Sequence, residues 1–353
     1  MSFDTFYLGG GTPSLLGAKN LKLLIDGLGV ESSSPLAGGD SCEGVRMNEF
    51  HSHPDLSHQG RGKLQNNFTE ATIEMNPEST TPEFLETVKE TGFNRVSIGV
   101  QSLSDDELRS VGRIHTAAQA ISTVKRAQKA GFHAVSTDLI IGLPGQTWKI
   151  LNKTLETLVG LGIHHLSVYC LSLEDGTPLA KNPPDNLPSD DTQVELYDKT
   201  RTFLIGRGFI HYEISNFALK GYECKHNLNY WHGGEYLGLG PSAASHLDGK
   251  RFRNNADLNT YLQNPIGQIE YIEELNAQNK AAEEAMLRLR LLEEGLDTHE
   301  LTTKYGVENV QDVISRLDGM VCEGLLTCEN SRYRLSPSRI MTSNPIFARV
   351  LLK

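Results

Sequence analysis

The sequence predicts an α/β fold: a parallel sheet with helices outside it, followed by a smaller helical module bearing a two-stranded wing. Three observations carry this expectation. Short β-rich runs alternate with amphipathic stretches over the first two-thirds of the chain, the pattern of repeated βα units. The strand-like runs end in turn residues, and the candidate functional residues cluster there. From about Glu283 onward the rhythm changes to three helices and a hairpin signal.

Taken in order, Phe3 to Leu8 reads as a strand and Lys19 to Leu28 as a helix. Thr72 to Met75 is a strand, and Pro82 to Thr91 a helix with proline in its first turn, where the missing N–H costs nothing. Arg95 to Val100 is a strand, Thr116 to Ala130 a helix ended by Gly131, and Val135 to Ile141 a near-continuous apolar strand. Trp148 to Val159 is helical and Leu166 to Leu171 extended. Continuous apolar strands suit a sheet covered on both faces. In such folds the chemistry sits in loops at the C-terminal ends of the strands.

Residues 31 to 67 break the rhythm. They are rich in Ser, Gly and His and lack apolar periodicity, where a connection of only a few residues is usual. The segment reads as a flexible insertion, or as non-coding sequence carried into the chain by a faulty gene assignment. Its His51, His53 and His58 have no rigid flanking elements to make them a metal site. Further on, Ala285 to Leu292, Thr298 to Tyr305 and Val310 to Leu317 are helical. Leu325 to Glu329 and Tyr333 to Leu335 pair around Asn330-Ser331, a hairpin turn. The expected division is a barrel-like body over 1–255 and a C-terminal module over 256–353.

Composition narrows the functions. The 353 residues carry a formal net charge of −11, which argues against a nonspecific nucleic-acid binder, because phosphate binding needs a basic surface. No apolar run approaches the roughly 20 residues that span a bilayer, and no signal peptide is evident. The five cysteines, Cys42, Cys170, Cys224, Cys322 and Cys328, are scattered, as in a reducing compartment. A cytoplasmic location is expected, with a mitochondrial one kept open for a truncated chain.

The motifs follow the strand ends. Gly9-Gly10-Gly11-Thr12-Pro13 allows close backbone approach to a ligand, or forms only a tight turn. Glu74, in Glu74-Met75-Asn76-Pro77, could accept an ammonium group or simply sit at a helix N-terminus. Gln101 ends Ser97 to Ser102, and Arg113 lies in Gly112-Arg113-Ile114-His115; the guanidinium fork suits a carboxylate. Asp138, inside an otherwise apolar strand before Gly142-Leu143-Pro144-Gly145-Gln146-Thr147, costs stability unless paired. A ribose diol or Arg113 would be natural partners.

These runs, with Tyr169 to Leu179, Tyr212 to Ala218 and His226-Asn227-Leu228-Asn229-Tyr230-Trp231, resemble the radical S-adenosylmethionine superfamily. The resemblance is closest to the branch holding oxygen-independent coproporphyrinogen III oxidase and the HemW haem chaperones. The His226 to Trp231 run favours the chaperones. The resemblance implies a partial (β/α) barrel, open on one side, with a small C-terminal module. It implies that Gly10, Gly11, Thr12 and Glu74 hold the methionyl part of S-adenosylmethionine, and that Gln101, Arg113 and Asp138 complete the pocket. His226, Tyr230 and Trp231 would meet haem, with Cys224 nearby as a second candidate iron ligand.

The partner implied is a haem-accepting protein such as a respiratory haem protein, with peripheral membrane association left open. The family also holds a [4Fe–4S] cluster on a CxxxCxxC loop before the glycine-rich turn. Here no cysteine precedes Cys42, and six residues precede Tyr7, against about 30 for a βαβ unit. Two readings stand, a truncated chain whose first barrel strand is missing and a form that has lost its cluster, and the retained pocket residues favour the first. Without the three cysteines, coproporphyrinogen oxidase activity is not expected.

Overall fold

The computed structural model describes residues 3–28, 68–265, 267 and 269–351. The insertion expected over 31–67, with Cys42 and its three histidines, lies outside the described residues. The body opens with strand β1 (Thr5–Leu8), helix α1 (Gly17–Gly27), β2 (Glu70–Met75), α2 (Pro82–Glu90) and β3 (Arg95–Gln101). Then come α3 (Asp105–Ser110), α4 (Ala117–Lys129), β4 (Ala134–Ile141), α5 (Trp148–Gly160) and β5 (His165–Cys170). The predicted βα rhythm is therefore present, with boundaries moved by a residue or two. Local chemistry sets the helix starts. The Thr81 side chain accepts from Phe84 N ahead of Pro82, and Thr116 and Gln119 form a reciprocal capping box on α4.

Past β5 the chain departs from that rhythm. It forms α6 (Pro178–Lys181), α7 (Asp190–Ile205), β6 (Ile210–Glu213), β7 (Asn216–Ala218) and α8 (Lys225–Trp231). The seven-stranded sheet runs β1-β2-β3-β4-β5-β7-β6. Strands β1 to β5 are parallel, and β7 and β6 add antiparallel. Among the described residues β1 and β6 are its edges, so the barrel is open.

Next come β8 (Ala244–Leu247), β9 (Lys250–Asn254), α9 (Leu258–Gln263) and β10 (Ile269–Glu274), whose strands make a small sheet in the order β10-β9-β8. That sheet crosses the expected boundary at 255/256, because β10 pairs with β9. The C-terminal module contains α10 (Ala277–Arg288), β11 (Leu296–Asp297), α11 (Thr298–Tyr305), α12 (Val307–Cys322), β12 (Leu326–Glu329), β13 (Arg332–Leu335) and α13 (Ser343–Leu351). The predicted wing is there: β12 and β13 pair antiparallel, turning at Asn330 and Ser331, both with positive φ.

One expectation needs correction. The strands are not apolar on both faces. Side chains alternate, so Ala71, Ile73 and Met75 of β2 and Val135, Leu139 and Ile141 of β4 join the core beneath the helices. The in-between positions, Glu70, Thr72 and Glu74 on β2 and Ser136 and Asp138 on β4, share the opposite, inner face. The period-2 pattern in Val135-Ser136-Thr137-Asp138 is masked because Thr137 on the core side is itself polar and fully buried. The barrel interior is thus a polar cup, not a second apolar layer.

Candidate functional site

The cup has a closed floor and an open mouth. At the floor, Arg95 and Glu70 are 3% and 6% exposed and lie 3.6 Å apart. The Arg95 guanidinium also donates to Tyr222 O at 2.9 Å and Ser136 Oγ at 3.1 Å. Glu70 accepts from the amides of Lys225 at 3.2 Å and His226 at 3.0 Å, and from the Cys224 thiol at 3.4 Å. A carboxylate at these unsatisfied first-turn N–H groups fixes the start of α8. Cys224 is no ready thiolate: burial pushes its thiol up to about 12.

At the mouth, the strand ends carry the residues singled out from the sequence. The glycine-rich turn is tied to the end of β2, since Asn76 Nδ2 donates to Thr12 Oγ1 at 3.2 Å and Asn76 N to Ser14 Oγ at 3.1 Å. Around Gly10 and Gly11 the Cβ directions are open, and Gly10 has φ +78°. Gly9 is closed in: a Cβ there would come within 2.6 Å of the Tyr7 ring and 2.8 Å of the Glu74 carboxyl carbon. Tyr7 donates to Glu74 Oε1 at 2.7 Å. Burial, then the Glu74 charge, raises the Tyr7 phenol far above its ordinary value, so it stays a neutral donor.

Gln101 sits at an irregularity in the pairing of β3 with β4 and has φ +64°, a strained conformation for a side-chain-bearing residue. Gly99 is what admits its amide: a Cβ there would meet Asn76 Oδ1 at 2.8 Å and Gln101 Nε2 at 2.9 Å. Asp138 accepts from Ser97 Oγ at 3.0 Å. Burial pushes its carboxyl up to about 6, while the Ser167 and Ser97 hydroxyls and, more weakly, Arg113 pull it down and Glu74 pushes it up. Ser97 links the two carboxylates' strands, pairing with Glu74 on β2 and bonding Asp138 on β4. Arg113, half-buried, is held by the backbone bond of its N–H to Leu108 O. Its neighbour His115 is fully buried and bridges Glu78 and Val100 O.

The run Gly142 to Thr147 serves the frame. Gln146 Oε1 accepts from Gly142 N at 2.8 Å, and its Nε2 donates to the buried Glu107 at 3.2 Å. Sequence reasoning missed Glu107, Tyr7, Glu70 and Arg95. For Tyr7 there was a signal, the alternation Thr5-Phe6-Tyr7-Leu8. For Glu70 and Arg95 the partners lie too far along the chain to be read, and for Glu107 the nearby Ser102 gave no sign that the pair would be buried.

The haem candidates divide. His226 stacks on the Tyr7 ring at 4.9 Å, with Nδ1 at 2.9 Å from Thr5 Oγ1 and Nε2 at 3.1 Å from the Tyr230 hydroxyl. Burial keeps its imidazole below the usual histidine value, hence neutral near pH 7. Trp231 is not brought together with them. Five positions along a helix put it about 140° round from His226, and the Arg290 guanidinium lies 4.5 Å over its ring, facing Phe347 as well. Trp231 is thus one of the barrel's contacts with the C-terminal module, beside the Glu213–Leu291 bridge.

The donor sets can now be matched to cofactors. The mouth, with open glycine edges, two carboxylates and a guanidinium, fits a zwitterionic nucleoside ligand. Among the described residues no three His, Cys, Asp or Glu side chains converge as metal ligands, and the cysteines there do not fit a [4Fe–4S] cluster. A hollow of about 500 Å³ lies elsewhere, lined by Tyr236, Arg251, Phe252 and Tyr271 of the small sheet and its approach; none of the motifs reaches it.

A family model, "Radical SAM superfamily", matches residues 2–158. The "Heme chaperone HemW" of Escherichia coli is 33% identical over 92% of this chain and 77% of its own length. That of Bacillus subtilis is 31% identical over 98% of this chain and 85% of its own. The solved coproporphyrinogen III oxidase of Escherichia coli, described as a radical SAM enzyme, superposes with a TM-score of 0.75 at 20% identity, over 99% of this chain and 77% of that one; it shares the fold. This chain belongs to the HemW branch of the radical S-adenosylmethionine superfamily.

Proposed function

We propose that this chain binds haem through His226 and delivers it to an acceptor haem protein, with S-adenosylmethionine held at the strand ends. The observation that carries the reading is the setting of His226. It is a neutral imidazole on the cup wall, in the run His226 to Trp231, fixed by the Glu70-capped start of α8. Neutral imidazole is the form that ligates haem iron. Both ring nitrogens are bonded, so ligation through Nε2 requires His226 to part from Tyr230.

At the mouth, Glu74 with the Gly10-Gly11-Thr12 turn would receive the ammonium group of S-adenosylmethionine. Arg113 and Gln101 would receive its carboxylate, and Asp138 its ribose hydroxyls. When bound, the cofactor supplies a sulfonium centre. The protein residues bind and orient it, and Asp138 must be ionised to accept from both ribose hydroxyls. An acceptor among respiratory haem proteins, and residence in a reducing compartment, follow from the same reading. So does a working division into the barrel and the C-terminal module that Trp231 joins.

Haemin titrated into the purified chain should shift its Soret band, and His226→Ala should weaken that binding at least about tenfold, on the order of a lost ligand bond. An unshifted Soret band, or an unaltered affinity in the variant, overturns the assignment. Isothermal titration with S-adenosylmethionine tests the mouth separately: Asp138→Asn should bind it about tenfold more weakly, as for a lost charge-assisted hydrogen bond.

A further inference from the structure

Between the proposed cofactor site and the proposed haem ligand stands one side chain. Tyr7 donates to Glu74 Oε1 at 2.7 Å and lays its ring on His226 with planes 20° apart. Gly9 is what lets the two come together, since a Cβ there would collide with the Tyr7 ring and the Glu74 carboxyl. On its far side, His226 is pinned by Thr5 and by Tyr230, whose ring in turn meets Tyr236 edge-on at 4.6 Å. The result is an unbroken series of contacts: Glu74, Tyr7, His226, Tyr230.

Resting on the reading above, we infer that Tyr7 is a positioning residue that latches His226 shut, and that an ammonium ligand on Glu74 releases the latch. The argument is one of competition. The Tyr7 hydroxyl donates to Glu74, and an incoming ammonium donates to the same carboxylate with charge assistance, about twice the strength of a neutral donor. Drawing Glu74 toward the ligand weakens the bond that fixes the Tyr7 ring. A freed ring no longer holds His226 flat against it, and the imidazole can leave Tyr230 to present Nε2. Occupancy of the mouth and iron ligation through His226 are therefore linked, and linkage of this kind is reciprocal.

The experiment is a haemin titration, followed by the Soret band, on the full chain with and without saturating S-adenosylmethionine. In the wild type the haemin Kd should fall about fivefold on adding S-adenosylmethionine, the lower end of typical coupling between sites. Tyr7→Phe keeps the ring and loses the hydroxyl. It should show the tighter Kd without S-adenosylmethionine and no further response to it, whereas a merely structural role would weaken haemin binding. Tyr230→Phe should tighten haemin binding yet retain the response.

Independent binding of the two ligands in the wild type, or a full response in Tyr7→Phe, overturns the latch while leaving the functional reading intact. Failure of either ligand to bind at all overturns that reading and the latch with it. If Tyr7→Phe does not fold, the reciprocal titration decides: saturating haemin must raise wild-type affinity for S-adenosylmethionine by the same factor, and no change sinks the coupling.

Discussion

The floor and the mouth of the cup are built from the same inward-facing positions of the same strands, yet their charges live differently. Glu70 and Glu74 are four residues apart on β2 and share a face. Glu70 is saturated: it has a guanidinium beside it, two amides and a thiol. Glu74 has the Tyr7 hydroxyl on one oxygen. Arg95 on β3 spends its donors on Glu70, Tyr222 and Ser136, whereas Arg113 beyond the end of β3 makes no side-chain bond among the described residues. The difference teaches that a charge inside this barrel is structural where its valences are met by protein, and available to a ligand where they are not.

Opposed substitutions put this contrast under strain. The largest expected effect is at the floor. Glu70→Ala leaves Arg95 buried without its carboxylate and should cost about 3–5 kcal/mol in urea unfolding. Glu74→Gln should cost under about 1 kcal/mol, since its surroundings already tolerate an incomplete set of bonds. Equal losses at both positions would erase the distinction.

A second contrast uses pH. The Asp138 carboxyl is lifted from 3.8 to about 6 in the fold. A carboxyl raised on folding contributes most below its unfolded value, and that contribution fades as pH rises through the folded one. Asp138→Asn should therefore be more stable than wild type by about 3 kcal/mol at pH 8, with the gap closing below about pH 4. A gain that is flat with pH would show that burial is not the cause. Smallest is a control away from the cup: Thr116→Ala removes the capping box of α4 and should cost about 1 kcal/mol without touching either ligand.

How much of this was visible in the chain itself differs in the same way. Asp138 stood out because an acid inside a strand is costly, and the glycine-rich turn because of its position after β1. The βα alternation and the wing were legible because each rests on local periodicity and turn chemistry. The floor was not, because Glu70, Arg95 and Cys224 find one another only through the sheet and α8, with Cys224 154 positions beyond the Glu70 it bonds. Nor did the run His226 to Trp231 show that it is helical, and without the helix its histidine and tryptophan look like neighbours. The strand Val135 to Ile141 misled for a local reason, since a polar residue on each face hid the alternation.

That short helix has a mechanical consequence. Its seven residues carry a ring on the cup wall and a ring gripped by Arg290 of the C-terminal module. The helix lies on a seam that is bonded on both sides of it, since Leu292 N donates to Tyr212 O and Glu213 bridges Leu291; the imidazole is thereby anchored to the join between the two bodies.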